Sequence, residues 1–234
     1  MKAIVPALKQ QGLTGFSLQF LYLGITEIAM GEKVLAHHLS VEAYLTYEKE
    51  ADIRHEYHNG EIFAMAGGTR NHGSLGNAIN TELNLICRNR SCVPFNGDVK
   101  IRIEASNRFL YPEASVVCGT VISSEQDAES IVNPILIAEV LSDSTEAYDR
   151  GEKFRIYKNL ASFKEYLLID QKRPIVTIFF RKDEMIWEMR DIIGLDQTIF
   201  LQSLESEIKM EDLYRNVTGL IGPFEEHESS KEKF

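Results

Sequence analysis

Apolar and polar positions along the chain follow two periods, and the switches between them mark the predicted elements. From residue 40, LSVEAYLTYEKE places Val41, Tyr44 and Leu45 at helical spacing behind Ser40, a capping residue. In YHNGEIFAMAG, Asn59-Gly60 predicts a turn into a short strand that Gly67-Gly68 closes. Thr69 or Asn71 then caps a longer helix to about Arg88, whose inner stripe is Leu75, Ile79, Leu83 and Ile86. SCVPFN and VKIRIEA read as short strands. FLYPEASVVCG and PILIAEVLS, apolar nearly throughout, read as central ones.

The helical period returns in EAYDRGEKFRIYKNLA, with Tyr148, Phe154, Tyr157 and Leu160 inward. FKEYLLID, IVTIFFRK and MIWEMRDI predict three further strands, and MEDLY a short closing helix. No internal repeat or low-complexity linker interrupts this order. It predicts one mixed α/β (α+β) domain over residues 37–222, a central mixed sheet flanked by helices. Residues 223–234 are a charged tail and residues 1–36 an N-terminal extension. Within that extension, GFSLQFLYLGI (15–25) contains Gln19 and falls short of the roughly 20 residues a spanning helix needs. Lys2 and Lys9 precede it, but no signal-type cleavage site follows. The run is read as an added helix or strand, or as sequence upstream of a natural start at Met30.

Composition narrows the classes. The 44% hydrophobic and 26% charged content is that of a globular chain with one substantial core. Acidic residues outnumber basic ones 35 to 25, for a net charge of −10, so a surface coated in positive charge is excluded and a local basic groove is not. Cys87, Cys92 and Cys118 form an odd set without CxxC spacing. That predicts reduced thiols in a cytoplasm, not a disulfide framework or a structural zinc site.

The candidate chemistry begins with one misplaced acid. Glu139 interrupts the strand run Ile135–Leu141, and burying an ionised carboxylate costs several kcal/mol unless it is paired or binds a metal. Two readings answer this. In the first, Glu139 forms an ion pair with Arg102 or Lys153. In the second, Glu139 and Glu113, which follows Pro112 on the neighbouring strand, hold one Mg²⁺ (or Mn²⁺), helped by the backbone carbonyl of Val140. Lys153, on the next helix, would then orient a water or stabilise charge on a phosphorane. Asp149 stands four residues before Lys153, at pairing distance on that helix.

Other motifs read as structure. His55 and His58 in RHEYH are three apart, against four in HExxH, and predict surface or supporting roles. AMAGGTRNHG lacks the spacing of a nucleotide-binding loop. Ser142, Ser144 and Thr145 lack GxSxG and read as helix-capping residues. Lys100, Arg102, Arg150, Arg155 and Lys158 are the candidate contacts for a phosphate backbone.

The ordered strings HEYHNGEIFAMAGGTRNHG, YPEASVVCG, AEVLSDSTEAYDRGEKFRIYKN and KEYLLID resemble the family named putative restriction endonuclease, also called domain of unknown function 820. The resemblance spans about residues 37 to 215. It implies a PD-(D/E)XK nuclease-like core, a divalent metal, DNA as partner and a homodimer. Residue by residue, it places the family's two acids on Glu113 and Glu139, its basic residue on Lys153 and the histidine of its long helix on His72. Glu61, in NGEI, matches a further position that would complete the metal shell. Two positions depart. Glu113 stands where the family usually has Asp, which moves the carboxylate by about 1.5 Å in a shell that tolerates little change. Leu141 stands where the general nuclease pattern has lysine, and Lys153 is its replacement.

The expectation is a Mg²⁺-dependent endodeoxyribonuclease, cytoplasmic, dimeric and without a membrane partner. Glu113, Glu139 and Lys153 are its catalytic residues, with Glu61, His72, Asp149 and Arg150 in support. The rival is a catalytically silent nuclease fold kept as a DNA- or protein-binding module. Action on RNA or another phosphodiester is not separable from the first reading by sequence.

Overall fold

The computed structural model describes residues 34–65 and 67–222. GFSLQFLYLGI, Met30 and the charged tail lie outside the described residues. In chain order the strands are β1 (Val34–Ala36), β2 (His55–His58), β3 (Glu61–Ala64), β4 (Cys92–Asn96), β5 (Ile101–Ile103), β6 (Arg108–Leu110), β7 (Ala114–Cys118), β8 (Leu136–Leu141), β9 (Glu165–Asp170), β10 (Ile175–Arg181), β11 (Trp187–Ile193), β12 (Thr198–Leu201) and β13 (Ser206–Lys209). The helices are α1 (Val41–Glu50), α2 (Arg70–Cys87), α3 (Glu146–Tyr148), α4 (Phe154–Tyr157) and α5 (Met210–Leu213), with a π-helical turn at Asp149–Lys153 joining α3 to α4.

The chain forms two compact units. The first takes the described residues up to Gly67, together with Lys100–Tyr111 and Ile122–Val132. Its sheet runs β1-β3-β2-β6-β5, antiparallel throughout. Ser40 caps α1 by accepting from the Ala43 amide, and Tyr44 of α1 stacks on Tyr57 with ring centroids 5.0 Å apart. All four residues of β2 are buried, so of the surface and supporting roles expected of His55 and His58 the surface one falls. Each imidazole meets a carboxylate: His55 Nδ1 lies 3.0 Å from Glu48 and His58 Nε2 lies 3.2 Å from Glu56. Three residues apart on a strand, His55 and His58 point to opposite faces and do not share one metal as the two histidines of a helical HExxH do.

The second unit holds Gly68–Val99, Pro112–Val121 and the described chain from Asn133 onward. Its six-stranded sheet runs β11-β10-β9-β8-β7-β4. Its pairings are antiparallel except β8 with β9, which is parallel from Leu136↔Glu165 to Leu141↔Asp170. Alternation gives β8 two faces. Leu136, Ala138 and Val140 pack with Leu75, Ile79 and Leu83 of α2 and with Ile199, Leu201 and Ile208 of the β12–β13 hairpin. Tyr166, from the opposite face of β9, sits among rings: Tyr157, Phe163 and Phe154 lie with centroids 5.8, 5.9 and 5.5 Å from it. Thr69 caps α2, its hydroxyl accepting from the His72 amide at 3.1 Å.

Three expectations change. FLYPEASVVCG is not one strand: proline has no N–H for a ladder, and Pro112 separates β6, in the first unit, from β7, in the second. The helix through EAYDRGEK is interrupted by the π-helical turn that carries Asp149 and Lys153. Cys92 and Cys118, facing partners in the β4–β7 ladder, are joined as a disulfide, while Cys87 is free and buried. The expectation of three reduced thiols fails because two cysteines 26 residues apart show no spacing signature until the strands pair. Among the described residues no helix is long and apolar enough to cross a membrane.

Candidate active site

Glu139 is the centre, and the second unit supplies its surroundings. It lies buried on β8, on the face lined by aromatic rings. Lys153 Nζ sits 2.8 Å from Glu139 Oε1, and the Tyr157 hydroxyl donates to the same oxygen at 3.1 Å. Lys153 Nζ also stands 3.7 Å from Asp149 Oδ1, so one ammonium serves two buried carboxylates. A π-helical turn widens the helix by one residue, and such turns recur at functional sites. Here it sets Asp149 and Lys153 on the side facing Glu139. The Tyr166 hydroxyl donates to the Asp149 carbonyl at 3.1 Å. Burial pushes its phenol pKa far up, and the Glu139 and Asp149 charges add to the shift, so it stays a neutral donor.

Glu113 lies one residue ahead of the neighbouring strand β7, not within it as the sequence suggested. The β7–β8 ladder ends at the pair of Ala114 with Ala138, so Glu113 and Glu139 are the residues that adjoin this last pair on the two segments. The carbonyls of Ile135 and Leu141 are turned to the β9 side: Ile135 accepts from Lys164 and Glu165, and Leu141 from Gln171 Nε2. Alternation along the strand turns the Val140 carbonyl to the other side, past the end of the β7 pairing. Glu113 itself is held by α2. His72 Nε2 lies 3.4 Å from its Oε1, Asn80 Nδ2 donates to its backbone carbonyl at 3.0 Å, and a Cβ added to Gly76 would lie 2.7 Å from its Oε2.

The two acids thus adjoin the last pair of the β7–β8 ladder and have partners on different elements. Glu139, Lys153 and Asp149 converge, as do Glu113 and His72. Arg150 is turned elsewhere, with Nε on Glu146 at 2.8 Å and Nη1 on the Thr177 hydroxyl at 3.2 Å. Glu61 belongs to the first unit, where its carboxylate meets His37 Nδ1 at 2.7 Å. Of the other cations, Lys100 pairs with Asp127 at 3.0 Å, Arg102 is buried against Asn107 and Gln126, and Lys158 Nζ lies 5.0 Å from the Phe154 ring centre.

The donor set is hard oxygen: two carboxylates and a carbonyl. That suits Mg²⁺, which keeps several waters and binds protein through one or two carboxylates. Among the described residues no group of three or more His, Cys, Asp and Glu is gathered as for a metal held by the protein alone. Sequence reasoning missed Tyr157, taken for core packing only, and also Gly76 and Asn80. His72, Gly76 and Asn80 recur every fourth residue, a polar and small stripe beside the apolar stripe of α2, and that spacing was the available signal.

Comparison with known proteins gives the fold and the family. A structure from Anabaena variabilis described as a putative nuclease belonging to DUF820 superposes with a TM-score of 0.62 at 15% identity, covering 76% of this chain and 98% of that one. At that identity it shows the fold, a restriction-endonuclease-like mixed sheet flanked by helices. Two uncharacterized proteins of Synechocystis sp., slr1290 and sll1609, are 32% and 31% identical to the chain. The alignments span 76% and 67% of it and 93% and 88% of the relatives. The model of the family Uma2, described as "Putative restriction endonuclease", matches residues 41–211, and the chain belongs to that family.

Proposed function

We propose that this protein is a Mg²⁺- or Mn²⁺-dependent endonuclease that hydrolyses DNA phosphodiester bonds at Glu113, Glu139 and Lys153. One observation carries the reading. A buried lysine stands 2.8 Å from a buried strand acid, and a second acid adjoins the same last pair of the β7–β8 ladder. A structural core has no need of this costly arrangement.

Glu113 and Glu139 would hold the ion, with the Val140 carbonyl as a further oxygen. Bound there, the metal supplies a lowered pKa for its water and positive charge against the phosphate. The chain does the rest. Lys153, steadied by Glu139 and Asp149, presents an ammonium to the negative charge that builds on phosphorus's oxygens. Tyr157 fixes the Glu139 carboxylate, and the aromatic cluster keeps bulk water from that side. Hydrolysis forms one P–O bond to water and breaks one ester P–O bond; the water's proton ends on the departing oxygen. Cutting both strands takes two sites, which is why we propose a homodimer. We place the protein in the cytoplasm with its DNA substrate, where the Cys92–Cys118 disulfide would be an exception to the reduced thiols usual there.

Cleavage of supercoiled and linear DNA with Mg²⁺, Mn²⁺ or EDTA tests this, wild type beside Glu139→Ala. Metal-dependent cutting that disappears in the variant is expected. Absence of cutting by folded wild type overturns the reading. A second reading draws on the same pair: Lys153 and Tyr157 already satisfy Glu139, as in a silent binding module. A live site gains thermal stability with Mg²⁺, about 2.7 kcal/mol at a hundredfold excess over Kd, and a silent one does not.

A further inference from the structure

One row of residues on α2 converges on Glu113. His72, Gly76 and Asn80 are four apart and so lie one above another on a single helix face. His72 addresses Oε1, Asn80 takes the backbone carbonyl, and Gly76 lies beneath Oε2. The spacing extends backwards to Gly68, just before the cap. A Cβ there would meet the His72 ring at 2.7 Å (Nδ1) and 2.9 Å (Cγ). Real Cβ atoms do not approach heavy atoms this closely, so in both places the absence of a side chain is what the neighbour occupies. Gly76 has no backbone reason to be glycine: it lies inside a regular helix, where glycine is worse than alanine by roughly 0.5–1 kcal/mol.

We infer that Gly76 is a positioning residue for the Glu113 carboxylate. The bare Cα gives the long glutamate side chain a seat on α2, which fixes where its oxygens stand relative to Glu139 on the next strand. Gly68 does the same one turn earlier for the imidazole that flanks Oε1. Deletion of one methylene from Glu113 withdraws the carboxylate from that seat. The two positions are therefore matched: a Cβ at 76 displaces the flexible end of the glutamate at 113 and displaces nothing with aspartate there. This inference rests on the proposed metal site for its consequence, and on the contact alone for its geometry.

The test is a double-mutant cycle of Gly76→Ala and Glu113→Asp, read in two ways. Without metal, in EDTA, urea unfolding reports the contact. Gly76→Ala is expected to raise the midpoint in the Glu113→Asp background, as helix propensity dictates, and to give a smaller gain or a loss in the wild-type background. With metal, Mn²⁺ titration and DNA cutting report the position of the carboxylate. Gly76→Ala alone is expected to weaken Mn²⁺ binding about 10- to 100-fold, the usual range for a group that orients a ligand. Adding it to Glu113→Asp is expected to change nothing further.

Equal effects of Gly76→Ala in both backgrounds, in unfolding or in Mn²⁺ affinity, overturn the inference. If the wild type neither binds Mn²⁺ nor cuts DNA while the unfolding cycle still shows coupling, the nuclease reading falls and the seat for Glu113 stands.

Discussion

The pair of Glu139 and Lys153 is where stability and proposed chemistry meet. Both side chains are almost wholly withdrawn from water, and each removes the other's reason to be unfavourable there. Lys153→Met leaves Glu139 and Asp149 buried without their shared ammonium and is expected to lower unfolding free energy by about 3–5 kcal/mol, whereas Glu139→Leu leaves Lys153 beside Asp149 and is expected to cost less. The double variant removes the pair but still leaves Asp149 without that ammonium, and is expected to lose less than the two singles together. Urea unfolding of the four proteins decides this, and additive losses would show that the two charges are satisfied independently. Glu139 was legible in the sequence as an anomaly, because a lone acid in an apolar strand must be explained. Its explanation was only half legible: Lys153 was one of two cations within reach of the argument, and Tyr157 looked like any inward ring. Which cation faces the acid depends on the π-helical turn, a one-residue insertion in the hydrogen-bond pattern that no period in the sequence announces.

Elements with strong local signals were readable to within a residue or two. Ser40 and Thr69 cap α1 and α2, Asn59-Gly60 turns β2 into β3, and the apolar runs of β8, β9 and β10 are strands. What failed were features set by pairing across distance. Pro112 splits one apolar run between two sheets, the β12–β13 hairpin carries too little alternation to be seen, and Cys92 finds Cys118 only when β4 lies against β7. The disulfide has its own consequence. Joining residues 26 apart removes unfolded-state freedom worth roughly 3 kcal/mol, so Cys92→Ser with Cys118→Ser should lower unfolding free energy by that order. The bond closes the end of β7 remote from Glu113, five residues and roughly 17 Å along an extended strand. DNA cutting by the double serine variant is therefore expected to match wild type at temperatures where both are folded. An unfolding midpoint that ignores reductant and substitution alike would show that the β4–β7 ladder needs no covalent closure.

At the scale of the whole molecule, charge opposes the proposed substrate. The chain carries a net −10, and duplex DNA carries one negative charge per roughly 1.7 Å of its axis. Encounter is thus unfavourable unless a cation intervenes, and two mechanisms of intervention predict different things. If divalent ions act only by screening, affinity depends on ionic strength and is indifferent to which carboxylate is present. If an ion is held between Glu113, Glu139 and a phosphate, it contributes at one place. Ca²⁺, a hard cation with oxygen preferences like those of Mg²⁺, serves as the probe in fluorescence anisotropy with labelled duplex at constant ionic strength. Wild type is expected to bind weakly in EDTA and more tightly in Ca²⁺. Glu113→Gln, at a partly exposed position where the substitution costs little structure, removes one repelling charge. Binding in EDTA should therefore rise slightly while the response to Ca²⁺ is lost. The opposite signs make the comparison decisive, since a variant that still gains affinity from Ca²⁺ would return the effect to screening and leave Glu113 without a place in DNA binding.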